Sequence, residues 1–131
     1  MKTAGIVAVV ALLLAAGASA FTFVALRGEG APREIVLIAK DMAFVADPPT
    51  AGQPLNPTIV LHPGERVRLV LRNLDPGMRH DLIVEHLRLR TPALDHGESD
   101  GFVFTAPSVP GRWDYHCSFH SRLMRGRIIV R

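Results

Sequence analysis

Cysteine is nearly absent: of 131 residues, Cys117 is the only one. A single thiol excludes an internal disulfide, a zinc site built on several cysteines, and a cysteine-ligated iron–sulfur cluster. No cysteine lies near the N-terminus, so a lipid-anchoring thiol is missing as well. Lysine is scarce, with only Lys2 and Lys40, and the positive charge is therefore carried by arginine. The balance of 15 Lys+Arg against 12 Asp+Glu leaves a formal charge of only +3. No run of five like charges occurs, so the chain has no basic tail and nucleic acid is not an expected partner. Internal repeats and low-complexity tracts are also missing. With 11 glycines and 10 prolines, the sequence holds more helix breakers than an all-helical bundle tolerates.

Charge is missing altogether between Gly5 and Leu26 (GIVAVVALLLAAGASAFTFVAL). As a helix rising 1.5 Å per residue, this stretch is roughly 33 Å long, enough to cross a hydrocarbon core of ~30 Å. A cleaved signal peptide is the competing reading, with Ala18-Ser19-Ala20 as cleavage site and Lys2 as a thin basic leader. The apolar run continues past that site through Phe21, Phe23, Val24 and Leu26, which favours a retained anchor. Both readings carry the rest of the chain across a membrane. The expected location is a domain held on the periplasmic or extracytoplasmic side by one N-terminal helix, or soluble in the periplasm after cleavage. The chain divides into a transmembrane or signal segment at 1–26, a short polar link at 27–33 (RGEGAPR) and a globular domain at 34–131. About a hundred residues can bury a core without disulfide or metal staples.

The globular part reads as short strands. From Arg66 to Asn73, Val67, Leu69 and Leu71 alternate with Arg66, Arg68 and Arg72, the period of a half-buried strand. Apolar, β-branched runs recur at Glu34–Ala39, Thr58–Leu61, Asp81–Val84 and Arg127–Val130, and alternation recurs at Gly101–Thr105 and Arg112–His116. Turn signals separate them: Asp47-Pro-Pro49, Asn56-Pro57, Pro63-Gly64, Asp75-Pro-Gly77, Thr91-Pro92 and the stretch from Pro107 to Gly111. The segment 46–57 is expected to be an extended surface loop. No helical period is found beyond residue 34. Seven or so punctuated strands indicate an all-β sandwich or barrel.

One segment concentrates the chemistry: Gly111-Arg-Trp-Asp-Tyr-His-Cys-Ser-Phe-His-Ser-Arg-Leu-Met-Arg-Gly126. Strand alternation directs Trp113, Tyr115 and Cys117 to the core, and Asp114 and His116 outward. After Cys117 come His120 and Met124, so a thiolate, an imidazole and a thioether lie within eight residues. A second imidazole is available from His80, which follows the turn at Asp75-Pro-Gly-Met-Arg79. Two histidines, one cysteine and a weak methionine describe the trigonal site of blue copper. Taken singly, each has a blander reading: a buried cysteine as a small core residue, His80 as a turn residue, Met124 as core filler. Their order, set in an exported all-β chain, points to a metal.

The segment from Asn73 to His80, the run Tyr115-His-Cys-Ser-Phe-His120 with Met124, and Gly126 entering the last strand resemble the cupredoxin family, the plastocyanin, pseudoazurin and amicyanin group. The resemblance covers nearly all of 34–131. It implies a Greek-key β-sandwich of seven or eight strands. It also implies one type 1 copper held by His80, Cys117, His120 and Met124. The three-residue spacer between His120 and Met124 falls between the shorter and longer ligand loops of that family. The resemblance further places Asn73 as a tie between the two ligand loops. Asp81 is a candidate to orient His80, or else an exposed acid at a strand start. Backbone N–H groups around Ser118 and Phe119 are candidates to bond the thiolate.

Four protein ligands leave no open position for substrate, which argues for a carrier and against an enzyme. The resemblance directs the electron through the edge of His120. There Pro76, Met78, Phe119 and Leu123 are candidates for an apolar patch, ringed by Arg79, Arg122 and Arg125. The expected function is a membrane-tethered one-electron carrier cycling Cu(I) and Cu(II). Its partners would be a cytochrome, an oxidase or reductase, or a photosynthetic reaction centre. The alternative is a cupredoxin-like structural subunit of a respiratory or photosynthetic membrane complex, with or without copper. His116 is expected to face solvent or a partner, because a neighbouring copper cluster would need His-x-His pairs that this chain lacks. His62, His86 and His96 are expected at the surface.

Overall fold

The computed structural model describes residues 30–131. The segment 1–26 expected to be an anchor or signal helix lies outside the described residues. Among the described residues, no helix is long and apolar enough to cross a membrane.

Among the described residues, nine strands build two mixed sheets. They are β1 (Arg33–Lys40), β2 (Ala43–Ala46), β3 (Ile59–Leu61), β4 (Arg66–Asn73), β5 (Ile83–Val84), β6 (Leu89–Arg90), β7 (Ser99–Thr105), β8 (Gly111–His116) and β9 (Arg125–Val130). One sheet runs β2-β1-β4-β7 and the other β3-β9-β8-β5-β6. β1 lies parallel to β4 and β3 parallel to β9, and the remaining neighbours are antiparallel. The result is an all-β, cupredoxin-like sandwich. It exceeds the expected seven or eight strands because β2 and the two-residue β6 carry no pattern visible in sequence.

Alternation does the building. Along β4, Val67, Leu69, Leu71 and Asn73 are buried while Arg66, Arg68 and Arg72 are exposed, as a period-two strand requires. In β9, Gly126, Ile128 and Val130 face in while Arg125 and Arg127 face out. Between the sheets lie Leu37, Phe44, Leu61, Leu69, Leu71, Leu82, Tyr115 and Ile128, all essentially inaccessible. Each such side chain contributes about 1.5–3 kcal/mol when fully buried. Trp113, expected in the core, is only half-buried and packs against its margin. Gly126 is required by close approach: a Cβ there would run into the ring of Tyr115. That ring packs edge-on to Phe44 with centroids 5.3 Å apart, and its hydroxyl donates to the Pro57 carbonyl at 2.5 Å.

This topology gives the sandwich two unlike ends. β1 and β4 run in parallel from Arg33 and Val67 to Ala39 and Asn73. The stretch leading to His80 leaves the finish of β4, and it is bonded to the turn that leaves the finish of β1. The starts of these strands meet the end of the chain at the other pole, where Arg33 pairs with Glu65 and the Arg131 N–H donates to the Leu61 carbonyl.

Candidate metal centre

β8 ends at His116, and Cys117 begins a tight loop that closes on itself before β9. The His120 N–H donates to the Cys117 carbonyl at 3.3 Å, and the Met124 N–H to the His120 carbonyl at 2.9 Å. The Cys117 N–H returns to the Met124 carbonyl at 3.0 Å. The first residues of this loop, Ser118–His120, form a 3-10 turn. Asn56, from the long loop before β3, braces the loop from outside by donating from Nδ2 to the Leu123 carbonyl at 3.0 Å. His80 arrives from the other direction. It follows the β4 exit and is fixed by a reciprocal backbone pair with Leu94, at 3.1 and 2.8 Å.

These two routes bring His80, Cys117 and His120 into one cluster, whose ligand atoms all lie within 4.8 Å of one another. His80 Nδ1 is 3.7 Å from Cys117 Sγ, and His120 Nδ1 is 3.8 Å from it. The two imidazole rings have centroids 5.0 Å apart. Metal bonds of about 2.0–2.3 Å set the ligand atoms of a trigonal ion roughly 3.5–4 Å apart, so the spacing fits an ion better than it fits strong hydrogen bonds. His80 and Cys117 are fully buried, whereas His120 is half-buried and reaches the surface. Met124 is also fully buried, and its backbone bonds hold it beside Cys117 and His120. Thiolate and imidazole are the soft and borderline donors that suit copper, and a type 1 copper fits the cluster.

Burial pushes the Cys117 thiol up, and the Asp81 carboxylate adds to that push. The backbone N–H groups of Asp81, Phe119 and His120 oppose it by favouring the thiolate. A metal binding here displaces the thiol proton.

The side-chain hydrogen bonds that support the ligands differ from the expected ones. Asn73 does not tie the two ligand loops. Its Nδ2 donates to the Met78 and Leu94 carbonyls, both at 2.8 Å, and its Oδ1 accepts the Asp75 N–H at 2.9 Å, so it braces only the His80 side. The tie between loops is Asp81, whose carboxylate accepts the Ser118 N–H at 2.7 Å and the Ser118 hydroxyl at 2.5 Å. That leaves the Ser118 N–H unavailable to the thiolate. Asp81 does not orient His80 either. That place is taken by Asp75, whose Oδ2 lies 2.7 Å from His80 Nε2. Burial alone would raise the Asp75 pKa. The N–H groups of Met42 and Asp41, together with His80, outweigh it and hold the carboxyl below its ordinary value.

Beside His120 on the surface lie Phe119, 48% exposed, and Leu123, 59% exposed, with Ser121 and Arg122; Pro76 is exposed and Met78 half-buried. Of the three arginines expected to ring it, Arg79 pairs with Asp95 at 3.1 Å and Arg125 with Asp114 at 3.7 Å. Arg122 is exposed. His116 is half-buried beside Ile83 and Arg125, outside the cluster, and His62, His86 and His96 are exposed.

The family model of the cupredoxin-like domain matches residues 5–130. The chain belongs to that family. Cupredoxins of known structure share its fold at low identity. Auracyanin A, a "blue" copper protein from the green thermophilic photosynthetic bacterium Chloroflexus aurantiacus, is 20% identical with a TM-score of 0.60. That match covers 76% of this chain and 99% of auracyanin A. Rusticyanin from Thiobacillus ferrooxidans is 17% identical over 75% of this chain and 76% of its own, with a TM-score of 0.57. The McoA multicopper oxidase from Aquifex aeolicus is 18% identical over 76% of this chain but only 26% of the oxidase, with a TM-score of 0.58. No curated protein matches the chain.

Proposed function

We propose that this cupredoxin is a one-electron carrier, in which His80, Cys117 and His120, with Met124 as a weaker fourth donor, would hold copper. The observation that carries this reading is the convergence of the three donor atoms within 4.8 Å. Copper supplies the Cu(I)/Cu(II) couple, and the protein supplies everything else. Cys117 and His80, both fully buried, exclude water from one side of the site, and the bonded loop from Cys117 to Met124 limits ligand movement between oxidation states. His120 is half-buried at an apolar surface and offers the electron its exit. The carrier reading gains support from the way auracyanin A is matched almost whole while the oxidase is matched in one quarter of its length.

The proposed docking surface is the patch of Phe119, Leu123 and Pro76 around His120, rimmed by Arg79, Arg122 and Arg125. The proposed partner is a redox protein, a cytochrome, oxidase or reductase, or a photosynthetic reaction centre, with an acidic surface. Because Arg79 and Arg125 already face acids, steering falls mainly to Arg122. The transfer rate is expected to fall moderately as salt rises. Tethering through residues 5–26 on the extracytoplasmic side is part of the same proposal and would raise the local concentration near a membrane partner.

The test is a visible spectrum after Cu(II) addition. The expected result is an intense thiolate-to-copper absorption that Cys117→Ser abolishes. His120→Ala should leave a colour altered by solvent entry, and Met124→Leu should shift the reduction potential more than the affinity. A colourless wild-type complex would sink the carrier reading.

A further inference from the structure

Among the five buried polar residues of the described part of the chain, Asp75 has the most unusual surroundings. Its Oδ1 accepts the Asp41 N–H at 2.5 Å, and its Oδ2 accepts the Met42 N–H at 3.1 Å while meeting His80 Nε2 at 2.7 Å. Asp41 and Met42 are the central residues of the turn between β1 and β2, and both have left-handed backbones, with φ of 50° and 59°. That conformation costs about 1–2 kcal/mol for a residue bearing a side chain. The turn therefore holds two adjacent N–H groups against a single carboxylate in spite of its strain.

We propose that Asp75 is a positioning residue that sets the donor strength of His80 and so lowers the reduction potential of the copper site. The proposal rests on the carrier reading. A carboxylate is an acceptor only, so the proton of the neutral His80 ring resides on Nε2 and the Nδ1 lone pair faces Cys117. A hydrogen-bonded carboxylate polarises that N–H and pushes electron density into the ring, which favours Cu(II) over Cu(I). The turn N–H groups hold the carboxylate, and Asn73 Oδ1 holds the Asp75 backbone N–H beneath it. Among the described residues, no acid meets the His120 ring, and the two imidazoles are unequal donors for that reason.

The experiment is a redox titration of the copper-loaded full chain in detergent, comparing wild type, Asp75→Asn and, as control, Asp95→Asn. Asp75→Asn keeps an oxygen for His80 and loses the charge. Its Cu(II) affinity is expected to fall about tenfold relative to Cu(I), at the lower end of what loss of such a partner produces. For one electron this raises the potential by about 59 mV. Asp95→Asn removes an exposed charge nearby and should leave the potential in place. Equal potentials for wild type and Asp75→Asn overturn the inference, as does an equal shift in the control. Should Asp75→Asn fail to fold, 15N NMR of wild-type His80 decides. A slowly exchanging proton on Nε2 supports the inference. An unprotonated Nε2, or exchange as fast as at exposed His62, overturns it. A wild type that takes up no blue copper fails the carrier reading first, whereas a blue wild type with an unmoved variant fails this inference alone.

Discussion

Where β1, β4 and β8 finish, the chain buries polar side chains; where β1 and β4 begin, it leaves them in water. The buried polar residues, Asn73, Asp75, His80, Asp81 and Thr91, all fall between positions 73 and 91, and each is hydrogen-bonded. At the opposite pole, Arg33 is exposed, its partner Glu65 only half-buried, and His62 exposed. Stability at that pole comes from apolar residues such as Leu61 and Val130. The contrast teaches that the two ends answer to different demands. A buried polar network fixes positions at the cost of desolvating every member, which is worthwhile only where atoms must be held to fractions of an ångström. Apolar packing gives more stability with less directional control.

That contrast can be broken by substitution. The largest effect is expected from Leu61→Ala, a cavity at the apolar pole costing about 2–5 kcal/mol by denaturant unfolding. The copper spectrum should be unchanged in the folded protein, and a changed spectrum would mean that the two ends are coupled. Asp81→Ala leaves the Ser118 N–H and hydroxyl without their buried partner and should cost about 1–3 kcal/mol. Unlike Leu61→Ala, it should also weaken copper binding, because the Cys117 loop loses its tie to the His80 side. Unaltered affinity would show that the loop needs no such tie.

A smaller effect concerns acid. Burial pushes the Glu65 pKa up, but the His62 N–H and the Arg33 guanidinium outweigh it and hold the carboxyl below its ordinary value. The unfolded chain then takes up the proton first. Glu65 therefore contributes stability above its ordinary pKa, and the contribution disappears as pH falls through the lowered folded value. Glu65→Gln should flatten the acid limb of stability against pH, measured as urea midpoints; superimposable limbs would remove Glu65 from the account. Smallest is Arg33→Ala, which breaks a 3.0 Å surface pair and is expected to cost under about 1 kcal/mol. A larger loss would make this pole more than a solvated rim.

Legibility in the sequence followed the same division. β4 could be read residue by residue, because its arginines and aliphatics alternate without a break. The three-residue cluster was legible through donor chemistry and spacing: Cys117 and His120 are close in sequence, and His80 follows a clear turn. β2 was not legible. Ala43-Phe44-Val45-Ala46 is short, and the turn before it lacks the Gly or Asn that normally signals left-handed backbone. The reason lies in a residue more than thirty positions away, since Asp75 accepts the N–H groups of that turn. Asp75 itself was hidden by the Pro-Gly after it, which makes it look like any aspartate opening a turn. Asn73 and Asp81 were singled out correctly as polar residues near the ligands, but their partners are set by tertiary contacts that spacing does not encode.

β1 sets the distance between the two poles. At about 3.3 Å per residue, the strand separates Arg33 from Lys40 by roughly 23 Å. The turn that grips Asp75 lies just beyond Lys40, whereas the Arg33–Glu65 pair lies at the other end. A partner seated over His120 would not touch that pair, so changes at the opposite pole should reach electron transfer only through stability.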